Sequence, residues 1–300
     1  MIALIIAVLA GLIFCLASVL LRKEIFLSNE SYTPVPISCF IGAILIGGTI
    51  LVTGEVKQLA AVSWQSVAWL SAAGVIHFIG GRTFVYIGYR YIGVNRSNPI
   101  TTSNVLVTVL GGAIFLGEPI SAYLALAVVL IMAGILFISR TGGTEGGGRV
   151  LTRGALLKGV FFTLGGALCW GTSPIMVKLG MSDGISSLTA TFISYAAASL
   201  AIGFSLVFRA NRDKFRMLNR QALTLVIIAS IALAVAHLLR YIALNTGSVS
   251  MVSPVFGSMS ALFVFPMAYF ISRKIEVFNP AVITGAVLIT AGVLLIFLKL

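Results

Sequence analysis

Charge is what this chain lacks. Only 9% of its 300 residues are Asp, Glu, Lys or Arg, against roughly 25% in an ordinary globular chain. Hydrophobic residues make up 59%, and mean hydropathy is +1.10. So few charges cannot cover a water-exposed surface of this size, and lipid is the solvent the composition demands. Acid is the scarcer sign: eight Asp and Glu stand against 20 Lys and Arg, a formal net charge of +12. The excess does not point to nucleic acid. The basic residues fall in short connections between apolar runs, where they set topology, and no basic domain stands outside the membrane. Cysteine is nearly absent. Cys15, Cys39 and Cys169 lie inside apolar runs without CxxC or metal spacing, so they read as small buried hydrophobes, and no metal site is expected. There is no HExxH, no Ser/His/Asp set with its acid inside an apolar run, and no filter-like motif. No cofactor is expected either.

What the chain has is long apolar runs. Ten are read as spans, at residues 2–21, 35–53, 64–90, 97–116, 119–139, 155–179, 185–208, 218–244, 249–271 and 277–298. A bilayer core of about 30 Å needs about 20 helical residues, which each run roughly supplies. None shows the period-2 alternation of a barrel strand. The expected fold is therefore an all-α integral membrane protein. The first run lacks a positive start and is followed at once by Arg22-Lys23, so it reads as a span and not as a cleaved leader. The one flexible linker is residues 140–153, with Gly142-Gly143 and Gly146-Gly147-Gly148. It divides the chain into halves at 1–139 and 154–300.

The halves repeat each other. Tyr86-Ile87 is followed thirteen residues after the Tyr by Pro99, and Tyr241-Ile242 likewise by Pro254, an offset of 155. The same offset takes Ser18 to Ser173 and Lys23 to Lys178. Near the ends it becomes 158, taking Glu118 to Glu276 and Ala133-Gly134 to Ala291-Gly292, which fits the longer connection at 272–276. Each half holds five spans. Five is odd, so the second copy enters from the opposite side: ten transmembrane helices as two inverted five-helix repeats. Such repeats mark secondary transporters, with the substrate site at the seam between copies.

Particular stretches add a resemblance. One half closes on Leu116-Gly117-Glu118-Pro119 with Ala133-Gly134-Ile135-Leu136, the other on Ile275-Glu276 with Ala291-Gly292-Val293-Leu294. The second half opens on Trp170-Gly171-Thr172-Ser173-Pro174 through Lys178, while Cys15 stands in the place of Trp170 in the first. With Pro99 and Pro254, these resemble the drug/metabolite transporter superfamily, EamA type, over essentially the whole chain. The resemblance implies ten helices, inverted repeats, a central cavity, and export or exchange of small metabolites, often amino acids.

The eight acids sit in connections or at span ends, so a buried carboxylate for proton-coupled cation export is not expected. The ionisable groups inside spans are His77, Arg82, His237 and Arg240. A charge at the bilayer centre costs roughly 2.5–3.5 kcal/mol even on the lenient insertion scale. A water-filled cavity or an anionic ligand is the expected compensation. Arg82 and Tyr86 are four apart and share a helix face; the repeat sets His237 and Tyr241 in the same positions, and Arg240 follows three after His237. Singly, the tyrosines fit packing or interfacial roles and Arg82 could snorkel; together the four point to a cavity. Trp170 is assigned to it as well. So are Asn98 and Ser253, which precede the prolines and are expected to cap helices, where the N-terminal dipole favours an anion. His77, with Ala232 in its place in the other half, reads as a packing residue. Gly74, Gly81 and Gly88 recur every seven residues on one stripe suited to close helix approach. Glu118 and Glu276 are expected to start the fifth and tenth helices.

The expected function is alternating-access transport of a small anionic or zwitterionic solute, an amino acid or another carboxylate- or phosphate-bearing metabolite. The alternatives are a membrane-embedded enzyme and a channel. Orientation in the cell membrane stays open. Odd-numbered connections carry fifteen Lys and Arg and the even side three, which by the positive-inside rule puts both termini outside. The family resemblance implies both inside.

Overall fold

In a computed structural model, residues 2–118, 124–140, 143–144, 150–276 and 279–298 are described. The first half comprises α1 (Ile2–Ser28), α2 (Pro34–Thr53), the short α3 (Val56–Ala61), α4 (Trp64–Gly74), a π-helical segment Val75–Gly81, α5 (Arg82–Ile92), α6 (Val94–Thr101), α7 (Asn104–Leu116) and α8 (Leu124–Arg140). The second comprises α9 (Arg153–Gly180), α10 (Ser187–Ser205), the short α11 (Arg209–Asp213) with a 3-10 turn Lys214–Met217, α12 (Arg220–Thr246), α13 (Val249–Ser272) and α14 (Pro280–Leu298). Between the halves, β1 (Gly143–Thr144) pairs antiparallel with β2 (Val150–Leu151). The other linker glycines, Gly142 and Gly146–148, and Glu145 lie outside the described residues, as do Pro119 and Val277 at the expected starts of two spans and Lys299.

Among the described residues, seven helical stretches are long and apolar enough to cross a membrane: Ile2–Ser28, Pro34–Thr53, Trp64–Ile92, Val94–Leu116, Arg153–Gly180, Ser187–Ser205 and Arg220–Thr246. Their starts follow local chemistry. Ser63, Thr152, Ser186 and Asn219 each accept the backbone N–H three residues on, satisfying one of the donors a helix start leaves free. α2 opens on Pro34 and Pro36, tolerated in a first turn.

The caps expected at Asn98 and Ser253 are corrected. The fourth stretch begins at Val94, three residues before its expected start, and α13 at Val249, as expected, so Pro99 and Pro254 lie inside helices. Asn98 and Ser253 are therefore not caps. After Pro99 the fourth stretch breaks, with Thr102 and Ser103 between α6 and α7. α13 runs through both Pro254 and Pro266.

The helices pack by exchange between halves. α1 lies on α12 and α13, and its equivalent α9 lies on α4–α5 and on α6–α7. α2 lies on α12 as α10 lies on α4, and the pairs α2–α10 and α8–α14 join like to like. Burial thus follows the repeat: each half covers the other.

The ends of the fourth-position helices show the exchange at atomic detail. Glu276, in the second half, accepts the backbone N–H of Val94 at 3.1 Å and of Asn95 at 3.0 Å. Glu118, in the first half, accepts those of Val249 and Ser250, both at 2.9 Å, and the Ser250 hydroxyl. Each half's carboxylate caps a helix of the other, where the N-terminal dipole and free N–H groups favour an anion. Glu118 and Glu276 were expected to start the helices that follow them, and residues 119–123 and 277–278 lie outside the described residues; their carboxylates serve α13 and α6. Backbone shape aims them: Gly117 at φ +68 turns the chain into Glu118, and Gly93 at φ +75 leaves room for the Glu276 carboxylate where a Cβ would stand. The ends differ in one respect. Glu276 also pairs with Arg22 through Nε at 2.9 Å, with both side chains buried.

Candidate substrate site at the seam

The π-helical segment widens the third stretch where it carries His77 and Phe78 inward. Such bulges often mark functional sites. The glycine stripe lets other helices close on this stretch: a Cβ at Gly74 would meet the Ser194 backbone, at Gly81 the Trp170 ring, and at Gly88 the Thr163 hydroxyl. What converges is an aromatic and basic cluster.

His77 lies stacked on Trp170 with ring centroids 5.4 Å apart, and the Trp170 indole N–H donates to the His77 carbonyl at 3.0 Å. His77 Nδ1 is 2.6 Å from the Ser173 hydroxyl, and its ring stands edge-on to His237 at 4.9 Å. His77, read from sequence as a packing residue, is thus a member of the cluster. His237 is ringed by Phe14, His77, Phe78 and Tyr195. It is 1% exposed, and among the described residues neither ring nitrogen has a hydrogen-bond partner.

The two arginines meet this environment differently. Arg82, 1% exposed, donates to the Ser38 hydroxyl at 2.7 Å and to the Tyr195 hydroxyl at 2.9 Å, with Phe78 under its guanidinium at 4.5 Å. Arg240 lies over the Phe256 ring at 4.7 Å, and its Nε has no hydrogen-bond partner. Among the described residues no carboxylate forms an ion pair with either. A buried cation without an anion is costly.

The other expected site residues are all buried. Tyr241 donates from its hydroxyl to Ser194 at 3.0 Å, and Tyr86 packs beside Tyr89. Asn98 accepts from the Tyr89 hydroxyl at 2.5 Å and donates to Ser260 at 3.2 Å. It lines a small cavity with Thr102, Asn104, Trp170, Phe256 and Ser260, open to the centre of a water-sized sphere over only about 20 Å³. Ser253 is buried with its hydroxyl unpartnered. The rings of Phe14, Trp170 and Phe256 line this cavity and also touch the cluster. The expected central cavity is therefore nearly filled by aromatic rings here.

Sequence reasoning missed Ser38, Phe78, Tyr195 and Phe256. Phe78 alone had a signal, four residues before Arg82. The others come from separate helices, and nothing in the spacing points to them. It also placed every acid in a connection or at a span end, whereas Glu24 lies within α1, fully buried, with neither carboxylate oxygen partnered.

The EamA-like transporter family matches residues 1–140 and 157–298. The chain belongs to that family. No curated protein sequence matches it. Among solved structures, a crystal structure titled only as that of a protein aligns with a TM-score of 0.66 at 14% identity, covering 97% of this chain and 96% of its own. That likeness speaks to the fold alone. Family and apolar helices together make this a multi-pass membrane transporter for a small molecule.

Proposed function

We propose that this EamA-like transporter moves a small solute bearing a carboxylate or phosphate, by alternating access between two inverted five-helix halves at 1–139 and 154–300. In this reading all ten long helical stretches cross the membrane, α8, α13 and α14 included. The observation that carries it is the seam itself: two buried arginines and two buried histidines without a facing carboxylate. Arg240 and His237 offer the free polar positions and make the first contact with the anionic group. Arg82, held by two hydroxyls, completes the field and exchanges the Tyr195 or Ser38 bond for a substrate oxygen. Its planar fork suits two oxygens at once. Phe14, Trp170 and Phe256 form the partition that moves aside as Asn98 and Ser260 take the solute's polar remainder. The termini face out, as the charge bias directs.

Counterflow in proteoliposomes with amino acids, organic acids and sugar phosphates tests the reading. Saturable exchange of an anionic or zwitterionic member is the expected result. A chemically altered solute would point to an enzyme, and non-saturating flux without counterflow to a channel. Preference for a cation, unchanged by Arg240→Ala or Arg82→Ala, would overturn the assignment of the seam.

A further inference from the structure

At the end of the molecule where α1 and α13 finish, a groove of about 580 Å³ opens between them. Phe26, Leu27, Tyr269 and Phe270 line it, and Lys23, Arg273 and Lys274 stand at its edge. Much of the apolar wall is exposed: Phe270 is 84% exposed and Phe26 and Tyr269 about half so. The basic groups are not neutralised. Among the described residues none of the three forms an ion pair, and Arg273 rests over the Tyr269 ring at 4.5 Å. The two acids nearest in sequence are withdrawn: Glu24 is fully buried, and Glu276 is engaged by Arg22 and the start of α6.

We infer that this groove binds an anionic phospholipid, its phosphodiester against Lys23, Arg273 and Lys274 and its acyl chain along Phe26, Leu27 and Phe270. Two features select a lipid over free phosphate. The basic edge is continuous with an apolar wall that a free ion leaves bare. The groove also lies on the side carrying fifteen of the chain's Lys and Arg, which the positive-inside rule assigns to the leaflet rich in anionic lipid. This site is separate from the seam and does not depend on the identity of the transported solute.

The test is native mass spectrometry of the full chain in detergent, titrated with phosphatidylglycerol or phosphatidylcholine. The expected result is a bound phosphatidylglycerol, preferred over phosphatidylcholine, with affinity falling about fivefold for each basic residue removed in the series Lys274→Ala, Lys23→Ala, Arg273→Ala, from about 1 kcal/mol per charge near a lipid surface. Phe270→Ser, at an exposed position, should weaken phosphatidylglycerol with all three charges in place. Bound lipid should raise the Tm of the native chain and not that of the triple variant. Three results would each overturn the inference: equal binding of both lipids, competition by millimolar inorganic phosphate with indifference to Phe270→Ser, or occlusion of Phe270 by a second copy in lipid-free protein.

Discussion

At the scale of single residues, polar groups in the seam differ in what they already hold. Arg82 has two hydroxyl partners and an aromatic floor; Arg240 lies over a ring, and among the described residues its Nε has no partner. Arg240→Ala should therefore raise the substrate Kd tenfold or more while the protein stays folded, since a buried charge-assisted contact is worth about 1.5–3 kcal/mol. Arg82→Ala should cost both transport and Tm, because Ser38 and Tyr195 lose their partner, and Arg82→Lys should restore only part of each. Ligand-induced Tm shifts and counterflow rates separate these outcomes. The glycines divide in the same way. Gly74→Ala drives a Cβ into the Ser194 backbone, and overpacking of this kind costs about 1–3 kcal/mol. Gly48→Ala, with nothing within 4 Å, should be neutral or stabilise by about 0.5–1 kcal/mol. Thermal unfolding in detergent checks the pair; equal losses at both positions would refute the close-approach account. That Arg82 and His237 occupy matched positions in the repeat is legible in the sequence. Their partners were not. Ser38 and Tyr195 come from α2 and α10, and a single sequence records no contact between helices.

At the scale of elements, the reciprocal caps govern the fourth helix of each half. Glu118→Gln should cost about 1–2 kcal/mol, the usual worth of a lost capping contact. Glu276→Gln should cost about 3 kcal/mol or more, because it also strands Arg22 as a buried charge. The ranking of the two Tm losses is the measurement, and a larger loss for Glu118→Gln would sink it. Elsewhere, Asp183 accepts from the Ser63 hydroxyl at 2.6 Å and the Ser66 hydroxyl at 3.0 Å, joining the start of α4 to the turn after α9. Those bonds hold its carboxyl below its ordinary value of 3.8. A depressed carboxylate stabilises fully above its unfolded value and loses that contribution as pH falls through the folded one. The Tm gap between the native chain and Asp183→Asn should therefore be open at pH 7 and close below the ordinary carboxylate range; a gap independent of pH would refute the tie. Helix positions were legible from apolar length. The start at Val249 was legible too, but the π segment and the start at Val94 were not. Proline near the head of an apolar run suggests a first turn, and it is the Glu276 carboxylate from the other half that marks where the fourth helix begins.

At the scale of the whole molecule, the repeat was the strongest signal in the sequence, and helix packing follows it pair by pair. Membrane sidedness is open to one decisive measurement. A C-terminal reporter active only in the cytoplasm should stay silent if charge bias governs insertion. An active reporter would invert the assignment and move the basic groove to the outer leaflet. The exchanged caps have a further consequence, for how the chain is built. Neither copy closes its own fourth helix, so neither is self-sufficient, and the single polypeptide behaves as a heterodimer whose subunits happen to be joined. Severed between residues 144 and 150 and expressed as two fragments, it should reassemble into an active carrier, whereas either fragment made alone should be cleared by the cell's proteases before it accumulates.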